Sequence, residues 1–172
     1  MGELGAGRRP RPRPEPIGEG EESVWDYPRP PRLEPTDRIV RVELDGVTVA
    51  ECRRALRVLE TSHPPTYYVH PYDVDLDLVE PAGGRSGCEW KGEASYWNVV
   101  VGERRVIRGA WYYPLPLTPY EQIADHVAFY PSMFECYVDG ERVRPQPGDF
   151  YGGWVTHDVK GPFKGIPGSS GW

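Results

Sequence analysis

One short stretch, residues 86–97 (SGCEWKGEASYW), contains the side chains with the clearest chemical potential in the chain. It places a thiol at Cys88 and an amine at Lys91 beside the indoles of Trp90 and Trp97. A thiol becomes a nucleophile when a nearby cation favours the thiolate, and an amine among aromatic rings either binds an anion or, with a lowered pKa, acts as a base or imine former. A buried apolar cysteine and a surface lysine lying over an indole are the structural alternatives. The stretch therefore predicts a site, with its chemistry open between binding and catalysis.

The proline-rich segment 60–72 (ETSHPPTYYVHPY) supplies a second group of polar and aromatic side chains. Glu60 and His63 are of the type that transfers protons, and Tyr67 and Tyr68 are of the type that contacts a ligand. Prolines stiffen such a loop, so little conformational entropy remains to be lost when a ligand binds. A structural loop whose tyrosines plug the ends of the sheets is the alternative interpretation.

Three functional hypotheses use these residues. The first is a module that binds an unknown planar or anionic small molecule in an aromatic cleft built from Tyr67, Tyr68, Trp90, Lys91, Trp97 and Trp111, although aromatic residues spaced by two are also typical of a core. The second is an enzyme in the same cleft, with Lys91 or Cys88 as the reactive group and Glu60, His63 or His126 as general acid or base. The third is a structural or interaction protein whose terminal arms seal the cleft in a homodimer.

The sequence predicts no metal site and no cofactor. Cys52, Cys88 and Cys136 are dispersed and form no CxxC pair, so we expect the chain to fold without zinc. His63 and His70 lack the adjacent carboxylates that would complete a metal site.

Three aspartates, Asp73, Asp75 and Asp77, would share one face if residues 72–78 were extended. Such a carboxylate group could hold magnesium for nucleotidyl transfer, but no glycine-rich turn that opens a helix and could cradle phosphates precedes it. The preferred interpretation is a polar solvent face whose Leu76 and Leu78 point inward.

Composition narrows the class of protein. Twenty glycines, twenty prolines and 12% aromatic residues in 172 residues favour many short strands over a helical bundle. The net charge of −6 comes without a basic stripe, which argues against a nucleic-acid partner. The chain shows no signal peptide and no apolar run near the roughly 18 residues of a membrane span, and its cysteines are odd in number. We therefore expect a soluble, cytoplasmic protein without a membrane partner.

Turn signals and alternation predict an all-β fold with one short helix. Asp45-Gly46 and Asp139-Gly140 each sit between alternating runs and favour two-residue hairpins. Gly92 indicates either a bulge, which would turn Lys91 off the pleat, or a place where backbone approaches something closely. Further strands are predicted at 55–60, 75–80, 93–101 and 105–113, and the helix at 119–126.

The chain divides into three parts. Residues 1–22 are rich in Arg and Pro and predict a disordered tail. Residues 23–147 form the predicted β domain, beginning with a docking arm that carries Trp25 and Tyr27. Residues 148–172 combine Gly and Pro with large aromatic residues, which predicts an ordered C-terminal arm. The two arms could also dock on a second subunit and form a homodimer.

Several long motifs occur in a fixed order: SVWDYPRPP, RVLETSHPPTYYVHP, CEWKGEASYW, GAWYYPLP, IADHVAFYP and GGWVTHDVKGPFKGIPG. In this the chain from Glu22 onward resembles the bacterial and fungal family called domain of unknown function 427. The resemblance implies a β-tent-like fold of two antiparallel sheets at a steep angle, similar to zinc-bearing relatives such as the cereblon ligand-binding domain. Those relatives use paired CxxC motifs, which this chain lacks, so the zinc site is not implied. The family's nucleotidyltransferase label adds nucleotidyl transfer to the enzyme hypothesis.

Overall fold

The computed structural model describes residues 11–88, 90–148 and 150–172. Within them it has fifteen strands, four 3-10 helices and no α-helix, which confirms the prediction of an all-β protein. The strands are β1 (Glu22–Ser23), β2 (Arg32–Pro35), β3 (Val40–Leu44), β4 (Val47–Cys52), β5 (Leu56–Leu59), β6 (Thr66–Tyr68), β7 (Val79–Cys88), β8 (Gly92–Val101), β9 (Arg104–Tyr112), β10 (Ala128–Phe129), β11 (Glu135–Val138), β12 (Glu141–Arg142), β13 (Arg144–Pro145), β14 (Trp154–Val155) and β15 (Val159–Lys160). The 3-10 helices are Val24–Asp26, Pro71–Asp73, Leu76–Leu78 and Thr118–Ile123.

Two four-stranded antiparallel sheets form the frame. The cleft sheet has the order β10-β9-β8-β7, and the hairpin sheet has the order β12-β11-β3-β4. A third sheet, β2-β5-β6, adjoins the cleft sheet, because Val69 and Val127 exchange two backbone hydrogen bonds of 2.8 Å. The pairs β13-β14 and β1-β15 complete the structure, and β1-β15 is parallel.

Both predicted hairpins are present. Asp45 and Gly46 have φ of 50° and 80°, and Asp139 and Gly140 have φ of 48° and 81°. A type I′ turn requires positive φ at both central residues, which these dipeptides supply at low cost. Strand β11 pairs with β3, so the two hairpins, far apart in sequence, become one sheet.

Two local predictions need correction. The short helix expected at 119–126 is the 3-10 helix Thr118–Ile123. The strand expected at 75–80 starts as the 3-10 helix Leu76–Leu78 and becomes extended only at Val79, because the Asp75 carboxylate accepts the Asp77 backbone N–H at 3.1 Å and caps that turn. Leu76 is consequently 62% exposed instead of pointing inward, whereas Leu78 packs on the core.

Two apolar clusters pack against the cleft sheet. The main core joins it to the hairpin sheet through residues such as Val42, Val99 and Cys136. The cleft-side cluster joins it to the third sheet through residues such as Val58 and Ala94. The cleft sheet therefore has buried side chains on both of its faces. Side chains of a site between this sheet and the third sheet are held by a rigid, packed frame.

The two terminal segments dock on the body and on each other. Trp25 packs edge-on against Trp172, with ring centroids 5.4 Å apart, and donates its indole N–H to the Pro162 carbonyl at 3.0 Å. Glu15 exchanges two hydrogen bonds with Gly161, and β1 pairs with β15. Residues 15–22 are thus held in place, so the expected free tail does not extend over them, and residues 1–10 lie outside the described part of the chain.

The three cysteines are free thiols, with Cys52 and Cys136 buried and Cys88 partly exposed. None of the helices in the described part of the chain has the length and apolar character needed to cross a membrane.

Candidate functional site

A cleft of about 600 Å³ opens between the third sheet, the cleft sheet and the C-terminal arm. Its base is aromatic: the Trp111 indole N–H donates to the Tyr68 hydroxyl at 3.3 Å, and the rings of Tyr68 and Tyr113 lie 6.4 Å apart. Tyr96, Tyr130 and Tyr151 extend this wall. The dimensions and the apolar lining are those of a small-molecule site.

Lys91 enters the cleft from the turn between β7 and β8. Cys88 pairs with Gly92 across this turn, and Gly92 has a φ of +108°. Gly92 therefore closes a hairpin and does not form a bulge within a continuing strand. The alternative prediction, a close approach of backbone, fits: a Cβ on Gly92 would lie 3.3 Å from the Leu115 carbonyl oxygen. The Lys91 carbonyl accepts the Leu117 N–H at 2.9 Å, so the backbone that carries the amine is anchored.

The Lys91 amine lies 5.9 Å from the centre of the Tyr113 ring, and no described carboxylate forms an ion pair with it within 4.0 Å. Burial acts to lower the pKa of Lys91, but Tyr68, Cys88 and Glu60 together outweigh burial and raise it above its ordinary value of 10.5. This upward direction favours the ammonium form of Lys91. This favours the anion-binding role over the base or imine role.

Glu60 and His63 lie on the same cleft and contact each other. The Glu60 Oε2 atom lies 3.3 Å from His63 Nε2 and 3.5 Å from Arg29 Nε. Burial acts to raise the pKa of Glu60, but His63, Lys91 and Arg29 lower it below its ordinary value of 4.5. Glu60 is therefore a carboxylate at neutral pH.

Gln146 determines which tautomer His63 adopts. Its Oε1 accepts the Gly153 N–H at 3.1 Å, so its Nε2 is the donor, to the Lys164 carbonyl at 2.9 Å and to His63 Nδ1 at 3.0 Å. His63 Nδ1 then carries no proton, so the neutral ring carries its proton on Nε2, the nitrogen that lies 3.3 Å from Glu60 Oε2. Both ring nitrogens are thus occupied, which leaves His63 no lone pair with which to act as a general base.

Cys88 lines the cleft beside Lys91. Cys88 contributes to raising the pKa of both Lys91 and Tyr113, which places the thiol near both groups. Burial is the largest cause that raises the pKa of Tyr68 and of Tyr113, so both phenols are neutral donors and acceptors near neutral pH. The base of the cleft hence combines a thiol, an ammonium and two phenols.

The C-terminal arm forms the opposite wall. A Cβ on Gly152 would approach the Trp111 ring to 2.3 Å, so only glycine lets the arm lie flat on that indole. Lys164 lies 5.7 Å from the Tyr151 ring centre, and Arg108, across the mouth, lies 4.1 Å from the Tyr96 ring centre. The mouth also exposes the apolar side chains of Ile107, Met133 and Phe150.

Six predicted site residues meet at this cleft, namely Glu60, His63, Tyr68, Cys88, Lys91 and Trp111. Sequence reasoning missed the contributions of Arg108, Gln146, Tyr151 and Lys164. Gln146 sits in the polar run RPQPGD, where no spacing or residue type indicates a site.

Four other predicted site residues lie elsewhere. Tyr67 packs in the main core against Trp154, with ring centroids 5.0 Å apart, and Trp97 packs on that core and stacks on Tyr112. Both occupy the strand face opposite to a cleft residue, because neighbours along a strand point in opposite directions.

Trp90 and His126 are the remaining two. Trp90 packs against the cleft-side cluster without lining the cleft. His126 lies 5.1 Å from the His70 ring, with its Nδ1 at 3.1 Å from the Ala124 carbonyl, and burial lowers its pKa. The structure therefore separates His126 from the other acid–base candidates.

The aspartates considered for magnesium do not converge. Asp73 forms an ion pair with Arg54 at 2.9 Å, and Asp75 caps the turn that begins at Leu76. In the ranges 11–88, 90–148 and 150–172, no three His, Cys, Asp or Glu side chains form a group that could hold a metal ion.

Comparison with curated proteins gives no match. A family model described as a domain of unknown function, DUF427, matches residues 32–143. This range includes β5 to β9 and all the predicted residues that line the cleft. Since the match covers more than half of the chain, the protein belongs to that family.

Proposed function

We propose that this protein binds a planar, anionic small molecule in the cleft, with the Lys91 ammonium neutralising the ligand's charge. The observation that carries the proposal is a sheltered cation, at the base of an aromatic cleft, without an ion-pair partner in the described chain. A charge removed from water is costly unless a counter-charge or hydrogen bonds compensate it. A bound anion provides that compensation, and the rings of Tyr68, Trp111 and Tyr113 provide a surface for a planar body.

Electrostatics of the rim support the same ligand class. Among the described residues of the lining, Arg108 and Lys164 add two cations to Lys91, and Glu60 supplies one carboxylate. Such an excess of positive charge attracts anions in a molecule whose net charge is −6. The free thiols are consistent with a cytoplasmic location for this function, which we propose as well.

An enzyme in the same cleft is the second candidate. It is favoured by the position of Cys88 next to Lys91, since a cation beside a thiol supports nucleophilic chemistry. The base that such a reaction requires is not supplied by His63, whose two nitrogens are occupied. Nucleotidyl transfer gains no support from Asp73, Asp75 and Asp77, which lie outside the cleft. If Cys88 reacts, Cys88→Ala should abolish turnover while the ligand still binds.

The third candidate, a homodimer in which the arms seal the cleft, is less favoured. Trp25 and Trp172 already cover each other within one chain, and the cleft remains open. Sedimentation equilibrium decides this point: a monomer removes the candidate.

The test of the binding proposal has two parts. Native mass spectrometry of protein purified without ligand stripping should show a co-purifying anion of low mass. Calorimetric titration with benzoate and the two naphthoates should give saturable binding that Lys91→Met weakens by about tenfold or more, the loss expected for a hydrogen bond to a charged group. Lys160→Met, at a lysine on β15 that pairs with Glu21, is the matched control and should bind as the wild type does. Equal binding by wild type and Lys91→Met would overturn the proposal, as would the absence of any bound anion in both measurements.

A further inference from the structure

We propose, resting on the binding function above, that the ligand carries a ring N–H or O–H donor as well as its anionic group, and that Glu60 receives this donor. The ligand class is then a planar heteroaromatic acid, and Glu60 is a specificity-determining residue of the cleft.

Glu60 has an acceptor left over for a ligand. The ion-pair contacts of Glu60 with His63 and with Arg29 are both recorded at Oε2, and no described residue donates a hydrogen bond to Oε1. An ionised carboxylate offers about four lone-pair positions, so these contacts leave acceptor capacity unused. The side chain lines the cleft with 22% of its surface exposed, so a ligand in the cavity can reach the carboxylate.

The position of that carboxylate is fixed by groups behind it. Gln146 is 2% exposed, and its amide is committed at both ends, to Gly153 and to Lys164 and His63. His63 can therefore only donate to Glu60, and it holds the carboxylate in place without taking its second oxygen. A hydrogen-bonded acceptor held this rigidly needs little reorganisation when a donor arrives.

The cation and the anion of the cleft do not neutralise each other. Lys91 and Glu60 both line the cavity and attract each other electrostatically, yet no ion pair within 4.0 Å joins them. A ligand that spans the two must present an acceptor to one and a donor to the other. An analogue without the donor would leave the Glu60 oxygen buried and unpaired, which is the arrangement that gives a site strong discrimination.

The test compares ring systems that differ only in the donor. Each positional isomer of indole carboxylic acid is titrated beside its benzofuran counterpart, which has the same shape but an oxygen in place of N–H. For at least one isomer we expect the indole acid to bind wild type about tenfold tighter or more, the effect of one hydrogen bond to a charged acceptor. Glu60→Gln should reduce this ratio to a few-fold or less, while Glu103→Gln, at an exposed turn outside the cleft, should leave it unchanged.

A second variant separates positioning from contact. Gln146→Leu removes the donor to His63 Nδ1 and frees the imidazole to change tautomer, so it should lower the indole-to-benzofuran ratio although Glu60 is intact. Nitrogen-15 NMR of the wild type should show a neutral His63 protonated at Nε2. A His63 protonated at Nδ1 would overturn the role of Gln146.

The outcomes distinguish this inference from the binding proposal beneath it. Equal affinities for every indole and benzofuran pair, with both weakened by Lys91→Met, would overturn the role of Glu60 and leave the binding function standing. Binding of benzoate or naphthoate without binding of any indole acid would do the same. Failure of every aromatic acid, with nothing co-purifying, would remove both. Because the comparison of ligand pairs uses the wild type, it decides the matter even if Glu60→Gln fails to fold.

Discussion

A sheltered cation lies under the N-terminal arm and another lies in the cleft. The first has carboxylate partners, and the second has none among the described residues. Under the N-terminal arm, Arg57 is 5% exposed and meets both oxygens of Glu22 at 3.0 Å, with Glu34 as a further partner. Tyr27 donates to the same Glu22 carboxylate at 2.7 Å. In the cleft, Lys91 has aromatic rings and a thiol around it but no described carboxylate at ion-pair distance.

This difference indicates that the charge of Arg57 has a structural role, whereas under the binding proposal the charge of Lys91 has a functional one. The carboxylates of Glu22 and Glu34 are supplied by segments that must come together for the chain to fold, so the Arg57 network stabilises the docking of the arm. No described carboxylate lies at ion-pair distance from Lys91, so under the binding proposal its charge is available to a ligand from solution. Variants in the arms should therefore change stability, and variants at the base of the cleft should change binding.

The largest effect is expected from the C-terminal arm. Trp154 is fully buried in the main core, and its indole donates to the Phe129 carbonyl at 3.1 Å. Trp154→Ala should lower the free energy of unfolding by about 3–5 kcal/mol in urea denaturation, the usual cost of emptying a large core site. Phe150→Ala, four residues away but 79% exposed, is the control and should change it by less than about 0.5 kcal/mol. A similar small change for Trp154→Ala would show that the arm is not structural.

Arg57→Met should come next, with a loss of about 3 kcal/mol in the same measurement, since removing one partner of a buried ion pair leaves the other charge uncompensated. The low end of the usual range is expected because the Glu22 and Glu34 side chains are 41% and 38% exposed. Arg142→Met, at an exposed arginine 3.9 Å from Glu135, serves for comparison and should change little.

Lys91→Met should have a much smaller effect on stability, within about 1 kcal/mol in either direction, because it removes a sheltered charge that no described carboxylate pairs with. Ligand affinity should fall in the same variant. A loss of stability as large as that of Arg57→Met would contradict the contrast between the two regions, since it would make Lys91 a structural cation.

The smallest effect concerns the response to acid. Burial acts to raise the pKa of Glu22, but Arg57 and Tyr27 lower it below its ordinary value of 4.5. A carboxyl group with a depressed native pKa stabilises the fold above its unfolded pKa, and the contribution is lost as the pH falls through the native value. Glu22→Gln should therefore be less stable than wild type near neutral pH, and the difference should shrink below about pH 4 in pH-dependent denaturation. A constant difference across that pH range would show that the charge of Glu22 does not stabilise the fold. Glu103→Gln is the control and should not show this pH dependence.

Much of the frame followed from short-range signals. The two Asp-Gly hairpins form as expected because the turn preference is carried by adjacent residues. The predictions of a strand at 75–80 and of a helix at 119–126 were less accurate. Both segments contain short 3-10 helices, the first of them capped by Asp75, and such turns leave no distinct periodicity in the sequence.

The site was predictable in part for the same reason. Cys88 and Lys91 were predicted together because they lie in one short stretch, and both line the cleft, whereas the turn that carries Lys91 was not predicted. Neighbouring residues along a strand point to opposite faces, so Tyr67 and Tyr68 cannot line the same cleft, and neither can Tyr96 and Trp97. The structure places Tyr68 and Tyr96 on the cleft side and Tyr67 and Trp97 in the main core.

By itself, then, the sequence determined the all-β class, the two hairpins and the residues that bring a thiol, an amine and a carboxylate to one cleft. The tertiary structure decided which of those groups have hydrogen-bond or ion-pair partners. Gln146 reaches His63 across 83 residues of chain, and Lys164 accepts from Gln146 only because the C-terminal arm folds back over the body. Turn and strand preferences act over a few neighbouring residues, whereas the protonation and orientation of Glu60 and Lys91 depend on groups that only long-range packing brings within a hydrogen bond's reach.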